Sequence, residues 1–242
     1  MNNPETPKGK LYLIPTTLGD TAPLEVLPIS IKQAVEEIDH YIVENEKSAR
    51  HFIKNIAPRK SQPSLHIEQL NKFTEPELIP SFLDPCLQGF NIGILSEAGS
   101  PAVADPGAEV VRLAHQRNIR VVPLVGPSSL ILALMGSGLN GQNFCFHGYL
   151  PIDTQDKKRA LKAMEKESRQ KNQTQLFIET PYRNDKLYED LIKTLAPSTL
   201  LCIAAAITLE GEFIKTMTVD EWGKKSTPEL HKKPAIFLLL AQ

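Results

Sequence analysis

Residues 91–125 constrain the fold of this chain more than any other stretch. Residues 92–95 are a short apolar run, Asp105-Pro106-Gly107 opens a helical segment, and residues 119–125 form a second apolar run. Strand, helix and strand in that order predict a βαβ crossover, because two parallel strands cannot be joined by a tight turn. The connection is expected to be right-handed, with helices covering the sheet. Asp105 suits the N-cap, where a carboxylate accepts orphan amide protons, and Pro106 suits the first helical position, where a missing N–H costs nothing. Between strand and helix lies a long run of mostly small residues, Ser96-Glu97-Ala98-Gly99-Ser100-Pro101-Ala102-Val103-Ala104-Asp105. Small side chains let a ligand approach the backbone, whose amides can recognise an adenine edge or a carboxylate. Open α/β sheets bind ligands just beyond the carboxyl ends of their strands, which is where this run stands.

The same alternation extends to both sides. Residues 11–15 read as a strand that ends in the loop Thr16-Thr17-Leu18-Gly19-Asp20. Residues 29–38 place Ile31, Ala34, Val35 and Ile38 on one helical face, and residues 41–43 form the next strand. A helix over 48–56 ends at Pro58, a weak strand follows at 64–67, and 77–87 reads as a helix. At Gly126-Pro127-Ser128-Ser129 the pattern restarts ahead of an apolar helix, 130–135, which Gly136 and Gly138 can end. The expected organisation is therefore an N-terminal, mostly parallel α/β domain over 1–124 and a C-terminal α+β domain with a mixed sheet over 125–242. In the second domain strands are expected at 144–149, 175–179, 200–207, 213–217 and 234–240, with helices at 155–171 and 182–195.

Composition narrows the function classes. With 27 basic and 28 acidic side chains the net charge is −1, so no global positive field draws the chain to nucleic acid or anionic membrane, and any such contact must be local. Cys86, Cys145 and Cys202 lie far apart in apolar settings, as reduced thiols of a cytosolic protein do. The six histidines and three cysteines have no metal-ligand spacing, and no metal is expected. Neither a glycine-rich dinucleotide fingerprint after the first strand nor a phosphate-binding P-loop is present, and no nucleophile elbow supports a hydrolase. The opening MNNPETPKGK lacks the apolar core of a secretory signal, and no apolar run approaches the roughly 20 residues that span a bilayer, so a cytoplasmic location is expected.

Five segments taken together carry a resemblance. They are residues 11–20, the loop 96–107, residues 122–129, Gly138-Leu139 with Phe146-His147-Gly148-Tyr149-Leu150-Pro151, and Phe177-Ile178-Glu179-Thr180-Pro181-Tyr182-Arg183. In this order they resemble the tetrapyrrole methylase superfamily, and within it the branch that 2′-O-methylates a cytidine ribose in small-subunit ribosomal RNA. The resemblance implies a two-domain tetrapyrrole-methylase-like fold, a homodimer, and S-adenosylmethionine held between the domains. Cofactor contacts are implied for Pro15, Leu18 and Gly19; for Glu97, Ala98, Gly99, Ser100, Pro101, Ala102 and Val103; for Ser128 and Ser129; and for Leu150, Ala204 and Pro234. Ribosomal RNA or the small ribosomal subunit is the implied substrate. That branch carries Ala-Glu-Asp-Thr-Arg after its second strand, whereas this chain has Val43-Glu44-Asn45-Glu46-Lys47 and keeps only Glu44.

A sulfonium methyl donor is already activated, so such an enzyme has mainly to align the reactants and exclude water. A ribose hydroxyl must still lose its proton. Glu44, Glu97, Glu179 and His147 are candidate bases, with Glu179 favoured because it ends an apolar strand, and Glu44 beside it as a catalytic residue. Lys47, Arg50, Arg183 and Lys157-Lys158-Arg159 are candidate phosphate contacts. Two other readings accompany this one. A tetrapyrrole acceptor would need a broad apolar trough with basic groups, and the glycine-rich first loop and Gly-Asp-Pro run of porphyrin-methylating relatives stand here as Pro-Thr-Thr-Leu-Gly-Asp and Glu-Ala-Gly-Ser-Pro. The altered stretch at Asn45 to Lys47 also fits a non-catalytic, ribosome-associated protein that keeps the cofactor cleft.

Overall fold

The computed structural model describes residues 7–242, which divide into two compact units, 7–128 and 129–242. In the first, β1 (Lys10–Ile14), β2 (His40–Val43), β3 (His66–Gln69), β4 (Ile92–Leu95) and β5 (Arg120–Pro123) form a wholly parallel sheet in the order β3-β2-β4-β1-β5. The strands expected at either end of the crossover are thus not neighbours, since both pair with β1. The helices of this unit are α1 (Pro23–Val26), α2 (Ile29–Glu37), α3 (Glu46–Ile56), α4 (Asp84–Leu87) and α5 (Gly107–Gln116).

Alternate side chains of a strand face opposite ways, and here they sort into two cores. Ile14, Tyr41, Val43 and Leu95 pack with Ile31 and Val35 of α2 and with Ala49, Phe52, Ile53 and Ile56 of α3. Leu11, Ile42, Ile92 and Ile94 pack on the other face with Leu83, Cys86, Val110 and Ala114. Ile53 is fully buried, so truncating it to alanine should cost about 3 kcal/mol. Chain leaving β1 and β2 therefore passes to one face, and chain leaving β4, which lies between them, passes to the other. Where connections of adjacent parallel strands diverge in this way, a crevice opens at the carboxyl ends.

Several boundaries differ from the sequence reading. The helix expected over 77–87 is a 3₁₀ turn, Ile79–Leu83, followed by the short α4, because Pro80 and Pro85 have no N–H to continue an α-helical ladder. Helix α3 begins two residues early, where the Asn45 side chain accepts from the Lys47 and Ser48 amides. Strand β3 lies two residues later than expected. Helix α5 begins at Gly107, with Pro106 rather than Asp105 in the cap position. Asp105 still performs the capping chemistry, since its Oδ1 accepts from Gly107 N at 2.8 Å.

In the second unit, helix α6 (Ser129–Ser137) precedes β6 (Phe144–Tyr149), α7 (Thr154–Lys171), β7 (Thr174–Ile178), α8 (Asn184–Thr194), β8 (Leu200–Ala205), β9 (Phe213–Thr218), α9 (Val219–Gly223) and β10 (Ala235–Leu240). The sheet order is β6-β7-β10-β8-β9, parallel only between β6 and β7. Phe177, Leu201, Ile203, Phe237 and Leu239 bury one face against α7, α8 and Trp222 of α9. The helix expected over 182–195 opens as a 3₁₀ turn, Pro181–Arg183, ahead of α8. The sequence reading omits α1 and α9, although Thr218 and Glu221 form a capping box in front of α9. All three cysteines are free thiols. Among the described residues no helix is long and apolar enough to cross a membrane.

Candidate active site

The loops around the crevice of the first unit bind one another. Thr16 follows β1, and its amide donates to the Gly99 carbonyl at 3.0 Å while its hydroxyl donates to Ser96 O at 3.2 Å. The Ser96 hydroxyl donates to the same Gly99 carbonyl at 2.8 Å, and the Ser100 hydroxyl donates to Pro127 O at 3.1 Å. The loop after β4 is thereby tied to the end of β1 and to the segment after β5. Gly99 has φ +76°, and a Cβ there would stand 2.9 Å from Leu18 Cδ2 and 3.2 Å from Pro127 O. At Gly126 the closeness is greater, with a Cβ falling 2.2 Å from Pro15 Cβ. Ala102 and Ala104 also take positive φ, 65° and 61°, which costs an L residue about 1–2 kcal/mol. The Asp105 carboxylate helps hold that turn by accepting from Ala102 N at 2.7 Å. Burial raises the Asp105 pKa against the pull of the Gly107 and Ala102 amides. Strain of this kind, held by a surrounding hydrogen-bond network, concentrates at functional sites.

Beside this loop a cleft of about 270 Å³ opens at the ends of β1, β2 and β4, lined by Thr16, Thr17, Glu44, Asn45, Ser48, His51, Phe52, Asn55 and Glu97. Glu44 follows β2, and burial raises its pKa, as do the charges of Asp105 and Glu97, while the Glu97 amide pulls it back. The Ser48 hydroxyl holds Glu97 Oε1 at 2.5 Å, and Asn55 Nδ2 meets His51 Nε2 at 3.0 Å. His51 and Asn55 were missed by the sequence reading, although their spacing of four sets both on one face of α3.

The structure gathers Pro15, Leu18, Gly19, the run Glu97, Ala98, Gly99, Ser100, Pro101, Ala102 and Val103, and Ser128 into the first unit. Ser129, Leu150, Ala204 and Pro234 belong to the second. There Leu150 follows β6, Ala204 lies near the end of β8, and Pro234 precedes β10 and accepts from Ala206 N at 2.9 Å. Because β6 and β7 run parallel while β10 runs against β7 and β8, these three and Glu179 share one end of the second sheet. Glu179 is buried there, and its Oε1 accepts from Thr180 N at 2.7 Å and from Arg183 Nε and Nη2 at 3.0 and 2.6 Å. Its Oε2 is buried without a hydrogen-bond partner. His147 Nε2 is engaged with Gln175 Oε1 at 2.5 Å.

The candidate phosphate contacts divide. Lys157 is buried and paired with Asp190 at 3.3 Å, Arg159 pairs with Asp156, Arg50 with Glu46 at 2.7 Å, and Arg183 with Glu179. The phosphate contact expected of Lys157 is corrected, since its ammonium is turned inward to Asp190. Lys47 is exposed at the first turn of α3 and forms no ion pair among the described residues.

A parallel five-stranded unit with a ligand crevice at its strand ends, followed by a mixed-sheet unit, is the architecture of a known class of transferases. The sequence pattern of the Tetrapyrrole (Corrin/Porphyrin) Methylases matches residues 10–222, and the chain belongs to this family and is a methyltransferase. It is similar to the ribosomal RNA small subunit methyltransferase I of Escherichia coli O157:H7, at 31% identity over 214 residues covering 88% of this chain and 71% of that protein. Among solved structures it resembles a diphthine synthase, at TM-score 0.66 and 15% identity over 96% of this chain and 90% of the other. It also resembles the uroporphyrin-III C-methyl transferase of Thermus thermophilus complexed with S-adenyl homocysteine, at TM-score 0.55 and 16% identity over 96% and 97%.

Proposed function

We propose that this chain transfers the methyl group of S-adenosylmethionine to a ribose hydroxyl of small-subunit ribosomal RNA. The observation that carries the proposal is the set of interlocked loops around Gly99 standing beside a carboxylate-lined cleft at the same strand ends. The first offers backbone free of side chains to a donor, and the second admits a hydroxyl. Likeness to a protein named for ribosomal RNA methylation supports the acceptor class.

Bound S-adenosylmethionine supplies a methyl group on a positively charged sulfur. Pro15, Leu18, Gly19, Glu97 to Val103 and Ser128 are the proposed contacts in the first unit, with Ser129, Leu150, Ala204 and Pro234 in the second. The fit rests on the shape of the small-residue loop, which Gly99 sets because a Cβ there would press on Leu18 and Pro127. Glu44 is the proposed proton acceptor: a carboxylate oxygen with raised pKa is better matched to a hydroxyl proton than an ordinary surface glutamate. Glu179, closed from solvent and engaged through Oε1, is assigned to orienting Arg183. We infer a homodimer, supported by the exposure of large apolar side chains such as Val125 and Met135, and a cytoplasmic location, where the substrate resides.

Incubation with methyl-labelled S-adenosylmethionine and either unmodified small ribosomal subunits or porphyrin precursors tests the reading. Label is expected in the RNA. Label in a tetrapyrrole, or in neither substrate, overturns it.

A further inference from the structure

The loop after β3 presents an aromatic ring that the fold does not use. Phe73 is 81% exposed, although the burial of such a ring is ordinarily favourable by about 2 kcal/mol or more. The loop beneath it is well built. Asn71 Oδ1 accepts from Phe73 N at 2.9 Å, Asn71 N donates to Thr74 Oγ1 at 2.9 Å, and the Thr74 hydroxyl donates to Gln69 O at 2.9 Å. Asn71 Nδ2 reaches Glu44 O at 3.4 Å, which ties the loop to the residue proposed as the base. Lys72 places its ammonium 4.9 Å from the centre of the Phe73 ring. Asn71, Lys72 and Phe73 line one open cleft together with Glu44, Asn45 and Glu97. A neighbouring depression is lined by Lys47 and Arg50.

We infer that Phe73, with Lys72 beside it, is a stacking platform for an unpaired RNA base next to the acceptor nucleotide. An exposed aromatic face flanked by lysines is what single-stranded nucleic acid requires, because every base has a face that can stack and every phosphate needs a cation. Charge sorts the two ends of the cleft. Glu44 and Glu97 at the strand ends repel phosphate, whereas the exposed Lys47 and Lys72 attract it, so the strand enters with its backbone towards the lysines and its base on the ring. The inference rests on the reading of the acceptor as RNA, and it adds a positioning residue that contributes to RNA binding and not to the chemistry.

The test combines Phe73→Ala with Phe73→Trp. For Phe73→Ala, the KM for unmodified small ribosomal subunits should rise about tenfold, equivalent to about 1.4 kcal/mol. The kcat, the affinity for S-adenosylmethionine and the melting temperature should stay unchanged, because the ring is outside the core. Phe73→Trp should restore the KM, and its fluorescence should be quenched in a saturable way by a short single-stranded oligocytidylate. The wild type carries only Trp222, which is buried in the second unit, and should show no such quenching. An unchanged KM in Phe73→Ala, or unquenched fluorescence in Phe73→Trp, overturns the inference while RNA methylation stands. If the wild type labels no RNA, the acceptor reading itself fails and the platform falls with it.

Discussion

Replacing Gly99 with alanine adds one methyl group at the point where three loops meet. The variant must either keep φ +76°, at about 1–2 kcal/mol for an L residue, or move the loop. Its Cβ would stand 2.9 Å from the mobile end of Leu18 and 3.2 Å from Pro127 O, and that carbonyl is held in place by the Ser100 hydroxyl. Together the conformational and steric terms disfavour the native loop by about 2 kcal/mol. If the donor binds only the native loop, the apparent Kd for S-adenosylmethionine rises by up to about 30-fold, the limit set by the fall in the competent fraction. The same strain lowers the melting temperature by about 6 °C at most. Titration calorimetry and thermal melting measure the two effects, and Gly141→Ala serves as control because a Cβ there meets nothing within 4 Å. Wild-type affinity together with an unchanged melting temperature in Gly99→Ala would refute the assignment of this loop.

Further outcomes follow from single groups. Glu44→Gln should abolish the rise of methylation rate with pH while leaving donor affinity unchanged. Since the folded-state pKa of Glu44 is raised, ionisation opposes folding, so the variant should be as stable as the wild type or more so at neutral pH, as urea unfolding will show. Glu165→Ala should cost about 3 kcal/mol, because it leaves Ala196 N and Thr199 Oγ1 without their acceptor. Burial pushes the Glu165 pKa up, but those two donors and Lys162 outweigh it and hold it below the usual range. The stabilisation is therefore complete above the usual glutamate range and lost as pH falls through the lowered value, and Glu165→Gln should flatten the acid limb of a stability–pH curve. Lys47→Ala should reduce the salt dependence of RNA binding by about one unit of log–log slope, whereas Lys157→Met should leave it unchanged because that ammonium is committed to Asp190.

Much of the first unit was legible because its central strands β2 and β4 are buried on both faces and therefore stand out as short apolar runs. The loop 96–107 announced itself by its length and small residues, and Asp105 acts there as its chemistry suggested, one residue from the expected position. What was not legible depends on contacts distant in sequence. No local pattern shows that Glu179 would be buried, or that Lys157 in a charged helix would turn inward to Asp190. His51 and Asn55 enter the cleft only because β2 and β4 are neighbours, an adjacency that the order of elements does not reveal. The stretch 58–80 was obscure since its prolines break periodicity, and its loop is held by side chains of Asn71 and Thr74 instead of a regular ladder.

The most direct test of the central claim locates the methyl group in the RNA. A ribose 2′-O-methyl removes the hydroxyl that alkali uses to cleave the adjoining phosphodiester, so label transferred to that position survives alkaline hydrolysis in a dinucleotide. Small-subunit RNA labelled by this protein, hydrolysed in alkali and separated, should yield its label in such a dinucleotide, and the Glu44→Gln variant should yield little. Label recovered only in mononucleotides would place the methyl on a base and contradict the account.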